Sequence, residues 1–354
     1  MPTATLTKIH TADKFLSCFV MEFKISVLMP VYNGELYLSE SIESVINQTF
    51  TNFEFVIVDD GSTDKTLSIL KDAQKKDQRV KVYSLPHNKG IVEALNYGLS
   101  KCRAPFIARM DCDDIMHRDR LLFQHKLFLE SPDTDVAGCL IEKFSSDNIK
   151  IGFKRYSDWL NSLCEHEDIC REIFVESPFA HPSVMIKKDV FLAAGGYKDN
   201  GWPEDYDLFL RLFQADKKFK KVKQTLLYWR DEPGRLSRTG SRYSLENFYR
   251  CKAHYMANYI LKCRKTVNIW GAKRRSRKFA GYLTEYGIKI HAYIDVDTKK
   301  VGNTIKGVPV ILPERIDRKY PVLSYVSTFG ARENIRRWLT DNQFMEGKDF
   351  FMMA

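Results

Sequence analysis

Apolar residues recur along the chain in two patterns that predict alternating strands and helices. Short continuous apolar runs predict buried strands at 25–30, 53–58, 80–84, 105–110 and 136–141. Between them, apolar residues at helical spacing, such as Leu38, Ile42 and Val45, predict helices at 36–48, 63–74, 90–99 and 118–129. This alternation is typical of an α/β sheet.

The pattern changes twice further along the chain. Residues 143–178 are polar and mixed, and they predict an excursion of helices and loops. The elements predicted after it are a strand at 183–186, a helix at 204–213, a strand at 225–229 and a helix at 242–262. Alternation then restarts, with strands at 267–270, 289–294 and 322–327, helices at 274–286 and 331–340, and an apolar segment at 350–353. We therefore predict an N-terminal extension over 1–22, a first domain over 23–262 and a smaller α/β domain over 263–354.

The composition is that of a folded, water-soluble protein. Of the 354 residues, 44% are hydrophobic and 28% are charged, and no apolar run approaches the roughly 18–20 residues of a membrane span. The 55 Lys and Arg against 45 Asp and Glu give a net charge of +10, which suits nucleic acid, an anionic membrane surface or a phosphate-bearing small molecule. The eight cysteines include no Cys-x-x-Cys pair, so we expect reduced thiols and a cytoplasmic protein.

Two groups of carboxylates follow predicted strands. Asp60 comes directly after the second strand, and Asp111, Asp113 and Asp114 come after the fourth. Ligands of open α/β sheets bind outside the carboxyl ends of the strands, so both loops are candidate binding sites. Three carboxylates in four residues suit Mg²⁺ or Mn²⁺ completed by substrate phosphates, whereas helix capping explains only one carboxylate per loop.

A third acidic group begins the helix predicted at 204–213. Asp205 would lie at the helix N-terminus, where the helix dipole favours its ionised form, while Glu204 and Asp207 oppose its ionisation. A general base held between these opposing effects is one interpretation of Asp205, and simple N-capping is the other.

Seven short segments match, in order, the motifs of one known family. They are Pro-Val-Tyr-Asn-Gly at 30–34, Gln-Thr-Phe at 48–50, Val-Asp-Asp-Gly-Ser-Thr-Asp at 58–64, Asn-Lys-Gly at 88–90, Arg-Met-Asp-Cys-Asp-Asp at 109–114, His-Pro-Ser-Val-Met at 181–185 and Glu-Asp-Tyr-Asp at 204–207. Each is weak alone, but seven in order are specific. The chain resembles glycosyltransferase family 2, the inverting, nucleotide-sugar-dependent group with the GT-A fold, over roughly 23–240. The resemblance implies a mixed sheet flanked by helices.

The resemblance also implies a donor site that binds a nucleotide sugar, with a UDP-sugar favoured, together with Mg²⁺ or Mn²⁺. The nucleotide pocket would be lined by Pro30, Tyr32, Asn33 and Asp60. Asp60 would accept a hydrogen bond from a uracil-like imide, and Asp111 would lie near the ribose and the donor sugar. Asp113 would hold the metal on the diphosphate, with Asp114 in the same loop.

On the acceptor side, the resemblance makes Asp205 the catalytic base. Asp205 would take the proton of an acceptor hydroxyl, which attacks the anomeric carbon opposite the leaving diphosphate. This single displacement inverts the configuration, so an α-linked donor gives a β-linked product. Glu204 and His181 would lie on the acceptor side of the cleft, although a packed loop histidine is an equal interpretation of His181.

One segment departs from the family pattern. Many relatives carry a histidine after the strand predicted at 225–229, where it helps to hold the metal or diphosphate, but residues 229–235 here contain none. Either Glu232 ligates the metal instead, or Arg235 and Arg238 neutralise the diphosphate directly. We favour the arginines.

The predicted C-terminal domain begins like a Rossmann-like βαβ unit, with Gly271 after a strand and Asp295 after the next. Lys273 and Arg274 stand where further glycines would be needed for a dinucleotide, which favours an ordinary α/β accessory domain. The basic run 273–278 is either a contact for anionic lipid or a solvated helix face.

These observations favour a glycosyltransferase that acts on a glycan or lipid-linked glycan in bacterial surface polysaccharide (LPS or capsule) biosynthesis. The excess positive charge at 217–223 and 262–278 would then keep a cytoplasmic enzyme at the inner face of an anionic membrane. Two alternatives stay open: a catalytically silent, glycan-binding scaffold, and a nicotinamide-linked oxidoreductase that uses the C-terminal domain. Nucleic-acid binding has no support beyond charge.

Overall fold

The structure is a computed structural model, and it describes residues 23–145, 151–232 and 234–354. The first sheet is built from β1 (Ile25–Val31), β2 (Phe53–Asp59), β3 (Val80–Ser84), β4 (Phe106–Arg109), β5 (Ile115–Met116), β6 (Val136–Phe144), β7 (Met185–Lys187) and β8 (Phe219–Arg230). In the described residues these strands lie in the order β3-β2-β1-β4-β7-β6-β8-β5. Because β7 runs antiparallel to both β4 and β6, the sheet is mixed, as predicted.

Helices flank this sheet and connect its strands. They are α1 (Leu38–Ile46), α2 (Thr66–Lys76), α3 (Ile91–Lys101), α4 (Arg120–Glu130), α5 (Ile151–Ser162), α6 (His166–Glu172), α7 (Lys188–Ala193), α8 (Glu204–Gln214), α9 (Leu236–Thr239) and α10 (Leu245–Tyr255). All seven residues of β1 are buried, and all seven of β2 are too. Each fully buried aliphatic side chain stabilises the fold by about 1.5–3 kcal/mol, so these central strands anchor the sheet.

A second sheet follows in the last quarter of the chain. Its elements are β9 (Thr266–Trp270), α11 (Arg274–Gly281), β10 (Lys289–Ile294), β11 (Thr304–Ile305), β12 (Val308–Ile311), β13 (Val322–Ser324), α12 (Ala331–Asp341) and β14 (Phe350–Met352). The strand order is β11-β12-β10-β9-β13-β14, and β11 is antiparallel to β12 while the other neighbours are parallel. This sheet contains the βαβ unit that the sequence predicts at 267–294.

The two sheets share a hydrophobic core through α8 and α10. Tyr206 and Leu210 of α8 are buried in one cluster with Tyr249 of α10 and with Val267 and Ile269 of β9. The second sheet therefore supports the helix that carries Asp205. Within the described residues, no helix combines the length and hydropathy needed to cross a bilayer.

Several predicted elements end elsewhere, for local reasons. The helix predicted at 242–262 begins as a 3₁₀ turn at Ser241–Tyr243 and ends as a π-helical segment at Met256–Ile260. The helix predicted at 274–286 leaves α geometry after Gly281, because glycine is a poor helix former, and ends at left-handed Gly287. Pro182 lies in a 3₁₀ turn, so the strand predicted at 183–186 begins only at Met185.

The strand predicted at 225–229 is the end of the twelve-residue strand β8. The sequence does not reveal its first half, because lysines interrupt the apolar pattern there. Lys221 is 2% exposed, and its Nζ donates to the carbonyl oxygen of Leu160 at 2.7 Å. Burial lowers the pKa of Lys221 to about 7. Lys223 pairs with Glu165 at 2.7 Å. The prediction that the whole run 217–223 offers charge to a membrane is therefore wrong for Lys221.

Candidate active site

The loops after β1 and β2 are tied together at the carboxyl edge of the sheet. Val31 and Asp59 are register partners, so both strands end at the same level. Asn33 has a left-handed backbone (φ 50°), its N–H donates to Ser62 Oγ at 2.9 Å, and its Oδ1 accepts from the Thr63 N–H at 2.9 Å. Asn33 thus links the two loops beside the predicted nucleotide pocket.

Asp60 lies in a buried turn between these loops and the segment before α3. Its two carboxylate oxygens accept from the N–H groups of Lys89 and Gly90, both at 2.8 Å, and the residue is 3% exposed. Burial raises the pKa of Asp60, although these hydrogen bonds oppose the rise. A Cβ added at Gly61 would lie 2.5 Å from the His87 carbonyl carbon, so the turn requires glycine there. Each oxygen keeps a lone pair for a further donor.

Two further residues predicted for the nucleotide pocket differ in exposure. Pro30 is buried within β1, whereas the Tyr32 side chain just beyond the strand is 47% exposed. Asp60 donates its backbone N–H to the carbonyl oxygen of Val31, the residue before Tyr32, and an exposed aromatic ring is a suitable surface for stacking a planar base.

The predicted metal-binding carboxylates come together after β4. Asp111, Asp113 and Asp114 each offer an oxygen, and these oxygens lie within 4.8 Å of one another. Burial raises the pKa of Asp113 and raises that of Asp114 well above its usual value. Asp114 Oδ1 accepts from the Arg230 N–H at 2.8 Å, while its buried Oδ2 has no hydrogen-bond partner. Glu232 does not join this cluster. Among the described residues, the His, Cys, Asp or Glu side chains that are close enough to share one metal ion here are those of Asp111, Asp113 and Asp114.

Arg235 projects into this carboxylate cluster. Its Nε lies 3.3 Å from Asp113 Oδ2, and its Nη2 lies 3.6 Å from Asp111 Oδ2 and 3.8 Å from Asp114 Oδ2. The other predicted arginine, Arg238, pairs with Asp231 at 2.6 Å. The two residues that sequence reasoning treats as equivalent therefore face different carboxylates.

Arg109 links the carboxylate cluster to the predicted acceptor side. It is 2% exposed, and its Nη2 donates to Asp111 Oδ1 at 2.6 Å. Although burial acts to raise the pKa of Asp111, the charges of Arg109 and Arg235 outweigh it and lower that pKa. The Arg109 charge also acts on Glu204 and Asp205. Sequence reasoning did not assign a role to Arg109, and its position at the end of a buried strand is the signal that could have done so.

Asp205 and Glu204 lie side by side at the N-terminus of α8. Glu204 is 1% exposed and accepts from the Tyr243 hydroxyl at 2.8 Å, whereas Asp205 is partly exposed. Burial and the neighbouring Glu204 raise the pKa of Asp205 to about 8. Asp205 Oδ1 accepts from the Tyr206 N–H at 2.7 Å. A carboxyl group with this pKa is suited to exchange a proton near neutral pH.

His181 lies behind Glu204. Its Nε2 is 2.6 Å from the Tyr197 hydroxyl and its Nδ1 is 3.9 Å from Glu204 Oε1. The residue is 8% exposed, and burial together with Arg109 holds the pKa of His181 well below its usual value. His181 is therefore a packed, neutral imidazole that is hydrogen-bonded to Tyr197 and lies close to Glu204.

Asp207, the last acid of the motif, faces away from this group into a polar cluster of its own. Its carboxylate accepts from Trp202 Nε1, Asn200 Nδ2, the Tyr255 hydroxyl and Arg211 Nε, at 2.7–3.0 Å. Burial acts to raise its pKa, but these donors prevail and lower it. Asp207 therefore fixes α8 rather than facing the cleft.

In the second sheet, Gly271 and Asp295 lie where the βαβ pattern predicts them. Gly271 has a φ of 119°, and a Cβ there would lie 2.9 Å from Ser276 Oγ. Asp295 Oδ2 accepts from the Ala272 N–H and from Lys300 Nζ, both at 3.2 Å. The carboxylate that a ribose would need is thus already hydrogen-bonded to the turn after β9 and to Lys300.

Comparisons with known proteins identify the family of the chain. Residues 26–192 match the family model described as glycosyl transferase family 2. The chain is 31% identical to the O-antigen biosynthesis glycosyltransferase WbnJ of Escherichia coli, over 67% of this chain and 89% of WbnJ. It is 28% identical to the UDP-Gal:alpha-D-GlcNAc-diphosphoundecaprenol beta-1,3-galactosyltransferase of the same species, over 67% of this chain and 85% of that enzyme.

The solved structures bear on the fold. The chain superposes on the crystal structure of S. aureus TarS in complex with UDP-GlcNAc with a TM-score of 0.55 and 20% identity, over 75% of this chain and 71% of TarS. The predicted GT-A architecture is therefore confirmed. Since the chain also shares 31% of aligned residues with a glycosyltransferase that it covers over 89% of its length, it belongs to glycosyl transferase family 2.

Proposed function

We propose that this protein transfers a sugar, with inversion, from a nucleoside-diphosphate sugar to a hydroxyl of a glycan or lipid-linked glycan. The observation that supports the proposal is that buried Arg109 connects two groups of acidic side chains electrostatically. The carboxylates after β4 and the raised-pKa Asp205 on α8 both lie within the electrostatic reach of buried Arg109. The first group suits a diphosphate donor and the second an acceptor hydroxyl.

The donor end of the site suits a nucleoside diphosphate as the leaving group. Asp60 presents buried oxygens to an imide N–H, and exposed Tyr32 presents its ring to a base, which favours a uridine nucleotide. The relative that carries a UDP-Gal activity by name supports the same donor class. Arg235 brings a guanidinium to the point where a diphosphate would lie, and Arg238 stands one helical turn further on.

The carboxylate cluster fits a hard divalent cation such as Mg²⁺ or Mn²⁺. Asp111, Asp113 and Asp114 supply only oxygen ligands, and the buried Oδ2 of Asp114 accepts no hydrogen bond, although Arg235 lies 3.8 Å away. When bound, the cation would supply charge stabilisation for the departing diphosphate. Arg235 would leave the carboxylates for the diphosphate oxygens as the donor arrives, because one positive group then replaces another.

Asp205 would act at the acceptor end. Its raised pKa makes the ionised carboxylate a strong enough base to take a proton from a sugar hydroxyl as the hydroxyl oxygen attacks. Glu204, held by Tyr243 and backed by His181, would accept a hydrogen bond from a neighbouring acceptor hydroxyl and so orient the sugar. Attack from the face opposite the diphosphate gives inversion in a single displacement.

The setting we propose is surface polysaccharide assembly at the inner face of the cytoplasmic membrane. Relatives named for O-antigen biosynthesis and for a diphosphoundecaprenol acceptor support a lipid-linked glycan. The net charge of +10 favours a cytoplasmic enzyme held peripherally at an anionic surface.

A donor screen tests the proposal directly. The full chain is incubated with UDP-, GDP- and dTDP-sugars and Mn²⁺, and release of the nucleoside diphosphate is measured with and without a lipid-linked acceptor extract. We expect metal-dependent release with a UDP-sugar that is lost in Asp113→Ala and in Asp205→Asn. A folded protein that turns over no donor with any acceptor would support a silent scaffold instead.

A further inference from the structure

A basic cavity opens on the second sheet, away from the carboxylates of the first. Its volume is about 540 Å³, and it lies between α11 and the β11–β12 hairpin, over β10. This volume falls in the range of about 300–1,000 Å³ typical of small-molecule sites. The cavity exists because of the connection between β10 and β12. Residues 295–307, all of them described, contain turns and β11 but no helix, so this connection adds no helix beside α11.

Four cationic side chains line the cavity. They are Arg274, Arg277 and Lys278 on one face of α11, and Lys306 at the hairpin. None of the other residues that line it is acidic. Lys278 is neutralised by Glu246 of α10. Arg274, Arg277 and Lys306 have no ion pair with any described residue, and the buried Nε of Arg277 has no hydrogen-bond acceptor.

The hairpin holds Lys306 in an unusual backbone conformation. Lys306 and Gly307 form its two-residue turn, and both have left-handed backbones, with φ of 48° and 80°. Asn and Gly are the residues that such turns favour, so a lysine here has a conformational cost. The cost is balanced if the Lys306 ammonium has a ligand in the cavity.

Apart from Thr284, the remaining side chains that line the cavity are mainly apolar. Ile290 and Tyr293 of β10 and Val308 of β12 form the floor beneath the cationic groups. A bare phosphate ion would leave this floor in contact with water, whereas an organic group attached to the phosphate would cover it. Charge at the rim and apolar surface below therefore match a phosphate joined to an organic body.

We infer that this cavity binds a phosphorylated organic molecule through Arg274, Arg277 and Lys306. Guanidinium groups bind phosphate oxygens in bidentate fashion, and two of them with one lysine suit two or more phosphate charges. The ligand is either a soluble nucleotide or sugar phosphate, or the phosphorylated head group of a lipid. The inference concerns a second site and does not depend on transferase activity at the first.

The test uses the full chain and two triple variants that each remove three positive charges. The cavity variant is Arg274→Gln/Arg277→Gln/Lys306→Gln. The control variant is Arg315→Gln/Arg337→Gln/Lys348→Gln, which changes three exposed residues of the same part of the chain. Calorimetric titration with UDP in EDTA measures the soluble ligand. Cosedimentation with phosphatidylcholine vesicles, with and without phosphatidylglycerol, measures the lipid.

We expect the cavity variant, but not the control, to lose one UDP-binding event or to bind phosphatidylglycerol vesicles about tenfold more weakly. Loss in the first assay identifies a soluble ligand, and loss only in the second identifies a lipid head group. Equal behaviour of the two variants in both assays overturns the inference. If the cavity variant does not fold, Arg274→Glu on the exposed side of α11 replaces it. Asp60→Ala removes any UDP binding at the first site, so failures of the two sites are distinguished.

Discussion

Arg235 Nε lies 3.3 Å from Asp113 Oδ2, at the centre of the carboxylates proposed to hold a divalent cation. Without a donor, the guanidinium does what a metal ion would do, because it offsets repulsion among three buried or half-buried carboxylates. The same side chain is then free to follow the diphosphate. We propose that Arg235 takes the place of the histidine that the family resemblance leads one to expect in this segment.

The first prediction concerns Arg235→Met. Removing a competing cation should tighten Mn²⁺ binding in the absence of donor by about 5- to 20-fold. Losing the charge opposite the diphosphate should also lower kcat/KM for the donor by about 100-fold. Electron paramagnetic resonance of free Mn²⁺ measures the first effect and nucleotide release the second.

Arg238→Met is the matched control for metal binding, because Arg238 pairs with Asp231 at 2.6 Å whereas Arg235 contacts the cluster. Its Mn²⁺ affinity should stay within about twofold of the original protein. Weaker Mn²⁺ binding in Arg235→Met would contradict the competition between guanidinium and metal.

The second prediction concerns Asp205→Asn, which removes the proposed base while keeping the size of the side chain. General-base catalysis contributes about 10²–10⁴-fold, so kcat should fall by that order. Because we assign Asp205 to the acceptor side and not to the nucleotide pocket, UDP affinity and the unfolding midpoint should be unchanged. Single-turnover kinetics and UDP titration separate these effects, and a variant with normal kcat would assign the base elsewhere.

The third prediction concerns pH. Asp205 must be ionised to act, and its pKa is raised to about 8, so kcat/KM should fall about tenfold per pH unit below that value. Glu204→Gln removes the adjacent negative charge, which should move the acid limb of the profile to lower pH by about one unit. Because the two acids titrate together, the limb reports the pair. If the acid limb of the unmodified protein lay near the ordinary pKa of a carboxyl group, the assignment of Asp205 as a base with a raised pKa would be wrong.

The sequence predicted the candidate site best where the acidic residues come directly after a strand. Asp60 and Asp111 come after β2 and β4, and a short apolar run is enough to predict both strands and therefore the edge at which they meet. The register of β1 with β2 and β4 then places both acids at the same edge of the sheet. These are local patterns combined with one general rule about α/β sheets.

Contacts between distant segments were not predictable in this way. Arg230 donates its backbone N–H to Asp114 across 116 residues, and Arg235 reaches the same loop from beyond β8. Lys221 looks like surface charge in the sequence, but its side chain is buried and donates to the carbonyl oxygen of Leu160. Asp207 differs from Asp205 only in helical position, and two residues along a helix point to opposite surroundings.

The last prediction uses that difference. Asp207→Asn leaves part of a buried polar cluster unsatisfied, including the guanidinium of Arg211 at 2.8 Å, and should lower the free energy of unfolding by about 3 kcal/mol. The pKa of Asp207 is lowered in the folded state, so its contribution is complete above its ordinary value of 3.8 and is lost as the pH falls through the folded value. The stability difference between the two proteins, measured by urea unfolding, should therefore shrink below about pH 4. Asp199→Asn, at an exposed pair with Arg242, should show little change at any pH. A constant difference across the acid range would mean that the loss arises from packing rather than from the charge of Asp207.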